Sequence, residues 1–365
     1  MTNKLFKVIG LMSGTSMDGV DAALVETDGA DYVKPLSTMT VPYEAAFRGR
    51  LRRYLGNKEG VRDPEVAGFE RELTELHATI VEKFLTHVNG LANDIDLIGF
   101  HGQTIWHQPK KRATIQIGDG ALLARMTKIP VVCDFRSADV EAGGNGAPLV
   151  PLYHRALSAG LPKPVAIVNI GGVSNVTWIG EDPEKDLLAF DTGPGNALID
   201  DWMLGRTGKA YDEHGLLASS GRPDTKLVER FLTQAFFKKK PPKSVDRDAF
   251  RNLMPEGMTA ADGAATLTLI TAQAIVQGLT FMPQKPLHLY VTGGGRLNAT
   301  LMRLIGELSE IPVSPVEELG WSGDGLEAEA FAYLAVRSHL GLPLSVPGTT
   351  GVPRPMTGGK FHQPG

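Results

Sequence analysis

The apolar positions of this chain fall into two kinds of run: short β-rich stretches broken by glycine, and longer stripes at helical spacing. Leu5 to Met12 reads as a strand, Gly14 to Gly19 as a tight turn and Val20 to Glu26 as a second strand, together a glycine-turned hairpin. The same grammar returns at Val165 to Ile170, Gly171-Gly172 and Val173 to Ile179, with Asn169, Ser174 and Asn175 supplying small polar groups around the bend. This is an internal repeat of supersecondary structure. Pro64 opens a helical stripe in which Val66, Phe69, Leu73, Leu76, Ile80, Phe84 and Val88 recur at steps of three and four, leaving Glu70, Glu72, Glu75 and Lys83 for water. Short strands at Asp96 to Phe100, Thr114 to Ile117 and Ile129 to Phe135, with a helix at Asp119 to Thr127, make the first half mixed α/β. The second half predicts helices at Asn196 to Leu204, Asp224 to Phe236, Ala260 to Leu279, Asn298 to Leu308 and Gly325 to His339. A strand at Leu287 to Val291 ends in Thr292-Gly-Gly-Gly295. Prolines and glycines from Pro343 onward predict an irregular tail.

Length and composition narrow the class. The 365 residues amount to two or three domains at roughly 150 residues each. Apolar residues at 42% and charged residues at 21% describe a folded globular protein. With 37 basic and 41 acidic side chains and no long run of one sign, neither nucleic acid nor an anionic membrane is an expected partner. Lys238 to Lys240, with Lys243 just beyond, is the densest basic cluster and reads as a solvated loop. The single Cys133 cannot form an internal disulfide or a thiolate zinc site, which points to a reducing compartment, the cytoplasm. The apolar run Val8 to Met12 is too short for a signal peptide, and no stretch approaches the roughly 18 apolar residues of a membrane span. Glycine is in excess, 42 of 365 residues against a usual value of roughly 7%.

The glycines cluster in three turns that follow or connect strands, at 14 to 19, 171 to 172 and 293 to 295. Such turns present bare backbone N–H groups to phosphate oxygens, or supply the positive φ of a hairpin. Neither GxxxxGK[ST] nor a strand-led GxGxxG occurs, so a P-loop and a Rossmann site are not supported. Asp191, between Phe190 and a Thr-Gly-Pro-Gly turn, puts a carboxylate at a strand end, either exposed to a substrate or capping the helix near Asn196. Asp18 and Asp21 flank the first turn. His101, Gln103, Trp106 and His107 form a dense polar and aromatic loop whose histidine spacing does not suit zinc. Asp324 and Glu327 stand at capping-box spacing.

Five motifs taken in order are recognisable: Gly10-Leu-Met-Ser-Gly-Thr-Ser-Met-Asp-Gly-Val-Asp21, His101-Gly-Gln-Thr-Ile-Trp-His107, Asn169-Ile-Gly-Gly-Val-Ser-Asn175, Phe190-Asp-Thr-Gly-Pro-Gly-Asn196 and Thr292-Gly-Gly-Gly-Arg296. They closely resemble the anhydro-N-acetylmuramic acid kinase family, of the actin, Hsp70 and sugar kinase superfamily. The resemblance implies an α/β fold of two similar actin-like (ribonuclease H-like) domains with an interdomain ATP cleft. Residues 1–150 form the first, residues 151–325 the second, and residues 326–365 a helix returning to the first domain plus an irregular tail. It implies a cytoplasmic bacterial enzyme of cell-wall recycling, a homodimer, that uses ATP and water to convert 1,6-anhydro-N-acetylmuramic acid into N-acetylmuramic acid 6-phosphate. By the same resemblance Asp191 is the catalytic base; Asp18, flanking the first glycine turn, is placed to hold Mg2+, through water because magnesium dehydrates reluctantly. ATP would be held by Gly14, Thr15, Ser16, Met17, Asp18, Gly19, Val20, Asp21, Gly171, Gly172, Gly293, Gly294, Gly295 and Asn298. The sugar would meet His101, Gln103, Arg136, Asp139, Asn145 and Glu327. An Arg136 fork matches the lactyl carboxylate; a structural ion pair between Arg136 and Asp139 is the competing account. A conventional hexose kinase and a nucleotide-gated binding protein are the rival functions.

Overall fold

The computed structural model describes residues 4–14, 17–56, 64–89, 94–182, 185–247, 249–250 and 254–365. In chain order the strands among them are β1 (Phe6–Ser13), β2 (Gly19–Thr27), β3 (Val33–Pro42), β4 (Leu97–Gln108), β5 (Ala113–Ile117) and β6 (Val131–Cys133), then β7 (Val165–Ile170), β8 (Val173–Ile179), β9 (Leu187–Pro194), β10 (Leu289–Thr292), β11 (Val313–Pro315) and β12 (Lys360–His362). They belong to two compact units, one of Met1–Gly160 with Gly325–Gly365 and one of Leu161–Asp324.

In the first unit the strand order is β3-β2-β1-β4-β6, with β12 beyond β6 and β5 paired to the far end of β4. β1, β2 and β3 run antiparallel in sequence, while β4 lies parallel to β1 and β6 parallel to β4. In the second unit the order is β9-β8-β7-β10-β11, again an antiparallel meander of three followed by two parallel strands. The repeat visible in the two glycine hairpins thus extends to five strands of each sheet, an antiparallel three followed by a parallel two, with β5 and β12 additional in the first.

The helix Pro64–His87 buries Val66, Phe69, Leu73, Ile80 and Phe84 in the first unit's core with Leu11, Leu24 and Ile98, as the periodicity requires. Each such buried side chain contributes about 1.5–3 kcal/mol by leaving water. The helix Leu326–His339 packs on β1, β2 and β4. It lies so close that a Cβ on Gly10 would run into the Ala328 carbonyl and one on Gly99 into the Phe331 carbonyl. Gly10 and Gly99 are register partners on β1 and β4, so together they make the flat floor on which that helix rests. In the second unit the helix Ala260–Leu279, predicted with those bounds, packs on β8 and β9 over a core that includes Val168, Val176, Phe190, Ile275 and Val291. Among the described residues no helix is long and apolar enough to cross a membrane.

Three expectations are corrected. His101 to His107 is not a loop: β4 continues to Gln108, pairing with β1 as far as Gln103 and with β5 beyond it. The tail is ordered. Pro347–Thr350 forms a helical turn, Ser345 bridges to Met356, and β12 pairs antiparallel with β6, which closes a sheet edge. The helix expected over Asp224 to Phe236 is two, Thr225–Leu232 and Ala235–Lys238.

Candidate active site

In the first unit the site is built around the end of β1. Ser13 donates from Oγ to Gln103 Oε1 at 2.6 Å, so the Tyr43 hydroxyl, also 2.6 Å away, is the donor to Ser13. Gln103 Nε2 donates to the carbonyls of Gly14 and Thr104, each at 3.3 Å. Gln103 is fully buried and holds the entry to the first turn by both ends of its amide. Thr15 and Ser16 lie outside the described residues. Met17 takes a positive φ of 55° and donates its N–H to the Gly14 carbonyl at 3.1 Å. Asp18 is exposed, and its carbonyl accepts from the Tyr43 N–H. Gly19 passes against the Val41 backbone where no Cβ fits, and Val20 is buried. Asp21 accepts from Thr40 Oγ1 at 2.6 Å.

Arg136 Nε donates to His101 Nε2 at 3.0 Å, and Nη1 donates to the Gly146 carbonyl at 2.7 Å. His101 Nδ1 donates to the Gly102 carbonyl at 2.8 Å, which fixes the neutral tautomer. Burial first, and then the Arg136 charge, keep that imidazole well below its ordinary pKa. Arg136 and Asp139 meet through Gly146 and not by a direct ion pair. Asp139 Oδ1 accepts from the Gly146 N–H at 2.6 Å, and Oδ2 accepts from Thr350 Oγ1 at 2.6 Å and from Ser345 Oγ. Asn145 is tied beside them by its N–H to the Thr350 carbonyl at 2.7 Å. Glu327, in the first turn of the helix Leu326–His339, reaches solvent but is closely surrounded. That enclosure raises its pKa, Arg136 opposes the rise, and Asp21 and Asp18 add to it. The capping alternative fails: Gly325 is the cap without a side-chain bond, and Asp324 instead accepts from Arg296 Nη1 at 2.9 Å.

In the second unit the β7–β8 turn differs from the other glycine turns. Neither Gly171 nor Gly172 has a positive φ, and a Cβ on either would meet its nearest neighbour only at 3.7 Å, an ordinary contact. The fold does not need glycine there, so the positive-φ account does not apply to this turn. Their carbonyls accept from the N–H groups of Asn196 and Gly195 at 2.7 and 3.0 Å. Gly293 does need to be glycine, having φ +74° with the Asn169 amide and the Ile170 carbonyl against it. Gly295 is pressed against Ile170, while Gly294 has room. Asn298 Oδ1 caps the helix Ala299–Ser309 by accepting from the Leu301 N–H at 2.9 Å.

Asp191 lies within β9 and not at its end, because the expected turn residues Thr192, Gly193 and Pro194 continue the strand against β8, and it caps no helix. The helix Ala197–Thr207 begins at Asn196, whose side chain bonds to the Ile170 carbonyl. Asp191 Oδ2 accepts from the Val245 N–H at 2.9 Å, and its own N–H donates to the Lys243 carbonyl at 3.0 Å. Among the described residues Oδ1 has no hydrogen-bond partner, so it is available to a water. Burial raises the carboxyl to about 7 against the lowering effects of the Val245 N–H and of Lys243. Lys243 is therefore not part of a solvated loop but is buried at 3% exposure. Arg247 is absent from the sequence reading: its aliphatic stem lies beside Gly172 and its guanidinium 3.6 Å from Asp201.

Among the described residues no group of three or more His, Cys, Asp or Glu is arranged to hold a metal. A cation here would need phosphate oxygens and water as well as protein carboxylates, which suits magnesium with a single exposed Asp18.

Two sheets that share five strands in one order, with a glycine turn at the first hairpin of each, define an α/β protein of the actin-like fold class. The profile of the anhydro-N-acetylmuramic acid kinase family matches residues 6–363. Proteins of that name from Rhizorhabdus wittichii and Paramagnetospirillum magneticum are 51% and 52% identical, covering 98% of this chain in both cases and 98% and 99% of their own lengths. The chain belongs to this family and is an enzyme of the kinase class. Among solved structures, the activator of the 2-hydroxyisocaproyl-CoA dehydratase from Clostridium difficile with bound ADPNP is 10% identical with a TM-score of 0.43, over 92% of this chain and 97% of that one. The ROK hexokinase from Thermus thermophilus is 15% identical with a TM-score of 0.41, over 91% and 100%.

Proposed function

We propose that this enzyme uses ATP and water to open 1,6-anhydro-N-acetylmuramic acid and phosphorylate it to N-acetylmuramic acid 6-phosphate, with Asp191 as the base. The observation that carries the reading is the state of Asp191: one oxygen fixed by the Val245 N–H, the other without a partner among the described residues, and a carboxyl raised to about 7. A base so tuned holds and releases a proton near neutral pH.

An anhydro sugar has no free 6-hydroxyl, so the C1–O6 bond must break as well as a new O6–P bond form. Asp191 takes a proton from water as the water oxygen attacks C1. The C1–O6 electron pair goes to O6, and O6 takes the γ-phosphoryl group from ATP as the bond to ADP breaks. One carboxylate suffices because phosphoryl transfer replaces the general acid of an inverting glycosidase. The N–H groups of Gly171 and Gly172 and of the turn between Gly14 and Gly19 bind phosphate oxygens, and Gly294 and Asn298 lie toward the nucleoside. Magnesium, when bound, would supply charge neutralisation at the phosphates, and Asp18 would hold it through water. Arg136, aligned by His101 and Gly146, receives the lactyl carboxylate. Glu327 accepts from a sugar hydroxyl or amide, and Gln103, Asp139 and Asn145 hold the backbone around it. A cytoplasmic homodimer completes the reading, tested by light scattering for the dimer.

Turnover in 18O-labelled water tests the chemistry. The label is expected on the anomeric hydroxyl and absent from the phosphate ester bridge; product without anomeric label means a conventional hydroxyl kinase.

A further inference from the structure

Lys243 is a charged group without an assigned part, buried where an apolar residue would be cheaper to hide. Its ammonium lies 4.6 Å from the centre of the Phe236 ring, 4.7 Å from Phe281 and 5.8 Å from Phe190, and donates to the Phe236 carbonyl at 3.3 Å. Phe190 and Phe281 stand edge to face at 6.2 Å. Three aromatic faces and a carbonyl make a cage for a cation. Phe190 is the residue before Asp191, and the Lys243 carbonyl and Val245 N–H clamp the Asp191 backbone and carboxylate. The same short segment therefore fixes the carboxylate and sets a positive charge behind it.

We propose that Lys243 is a positioning residue for Asp191: its caged ammonium favours the ionised, water-activating form of the carboxylate, while the Lys243 carbonyl and the Val245 N–H hold the orientation that leaves Oδ1 open. This rests on the reading of Asp191 as the base. Burial alone would keep the carboxyl protonated and useless as a base; a fixed cation nearby, without direct contact to drain the carboxylate's basicity, offsets part of that. The charged groups involved are few. Among the described residues Lys243 is the one charged side chain that acts on Asp191, and Asp191 and Lys239 are those that act on Lys243. Burial lowers Lys243 to about 8, with Asp191 opposing the fall.

The test compares Lys243→Met, Lys243→Arg and Asp191→Asn in the full-length enzyme. In Lys243→Met the acid limb of the pH profile of kcat/KM is expected to move up by about one pH unit. Lys243→Arg should keep it within roughly a third of a unit, since the charge remains. A folded Lys243→Met enzyme whose acid limb does not move overturns the proposal; a merely structural lysine would lower activity equally at every pH. Should Lys243→Met fail to fold, the reciprocal measurement decides. The ammonium midpoint of Lys243, followed by NMR of labelled lysine, is expected to fall in Asp191→Asn relative to the native enzyme, and an unmoved midpoint overturns the coupling. Near-normal turnover by Asp191→Asn instead overturns the base assignment itself, with which the proposal falls.

Discussion

Arg136 and His101 are joined by a hydrogen bond in which the guanidinium Nε donates to the imidazole Nε2 at 3.0 Å. A histidine that accepts from arginine must stay neutral, and its protonation breaks the bond that aims the fork. Replacing Arg136 by alanine is expected to lose roughly 2–5 kcal/mol of binding for a sugar bearing the lactyl carboxylate, much of it from leaving that carboxylate unpaired. An anhydro sugar without the lactyl group should bind weakly to the native enzyme and change far less. Equal losses for both sugars would return Arg136 to a structural part, holding His101 and Gly146.

If Asp191 is the base, as proposed, Asp191→Asn keeps the shape and removes the proton acceptor, so turnover should fall by roughly 10²–10⁴ with little change in sugar affinity. Stability should move the other way. The folded carboxyl binds its proton more tightly than the unfolded one, so ionising it costs folding free energy as pH rises from the ordinary carboxylate range to about 7. Asp191→Asn is therefore expected to melt higher than the native enzyme at pH 8 and about equally near pH 4.

Gly172 and Gly293 should separate ligand binding from folding. Gly172→Ala has room for its methyl group and should melt like the native protein while binding ATP more weakly. Gly293→Ala meets a positive φ and two close oxygens, so it should lose stability outright. Calorimetric titration with ATP beside thermal melting of both variants checks the contrast, and unchanged affinity in Gly172→Ala removes that turn from the phosphate site.

Asp139→Ala leaves the Gly146 N–H and the Ser345 and Thr350 hydroxyls without their acceptor. The expected loss is about 2–4 kcal/mol in urea unfolding, with a raised KM for the sugar because Asn145 and Gly146 loosen. An unchanged KM would detach this loop from sugar binding.

What the sequence disclosed and what it hid follow from range. The two glycine hairpins and the helices at 64–87 and 260–279 are written in local periodicity and turn chemistry, so they were legible. β3 carries no clear alternation, and the extension of β4 past Phe100 depends on β1 as far as Gln103 and on β5 from there, so polar residues there read as a loop. Asp191 stood out by its neighbours. Lys243 did not, because Phe190 and Phe281, which bury it, lie far away in the chain on either side. Gln103 was found, but as a sugar contact; its bonds to Ser13 and Gly14 are visible only in space.

The glycine floor under the helix Leu326–His339 has a consequence for biosynthesis. β1 and β4 are among the early parts of the chain to leave the ribosome, but the helix that covers Gly10 and Gly99 and the strand that caps the β6 edge follow the whole of the second unit. At roughly 5–20 residues per second, making Leu161–Asp324 takes on the order of ten to thirty seconds. For that interval the nascent first sheet has one bare face and one open edge, a template for wrong pairing, and the segment Gly325–Gly365 acts as its latch.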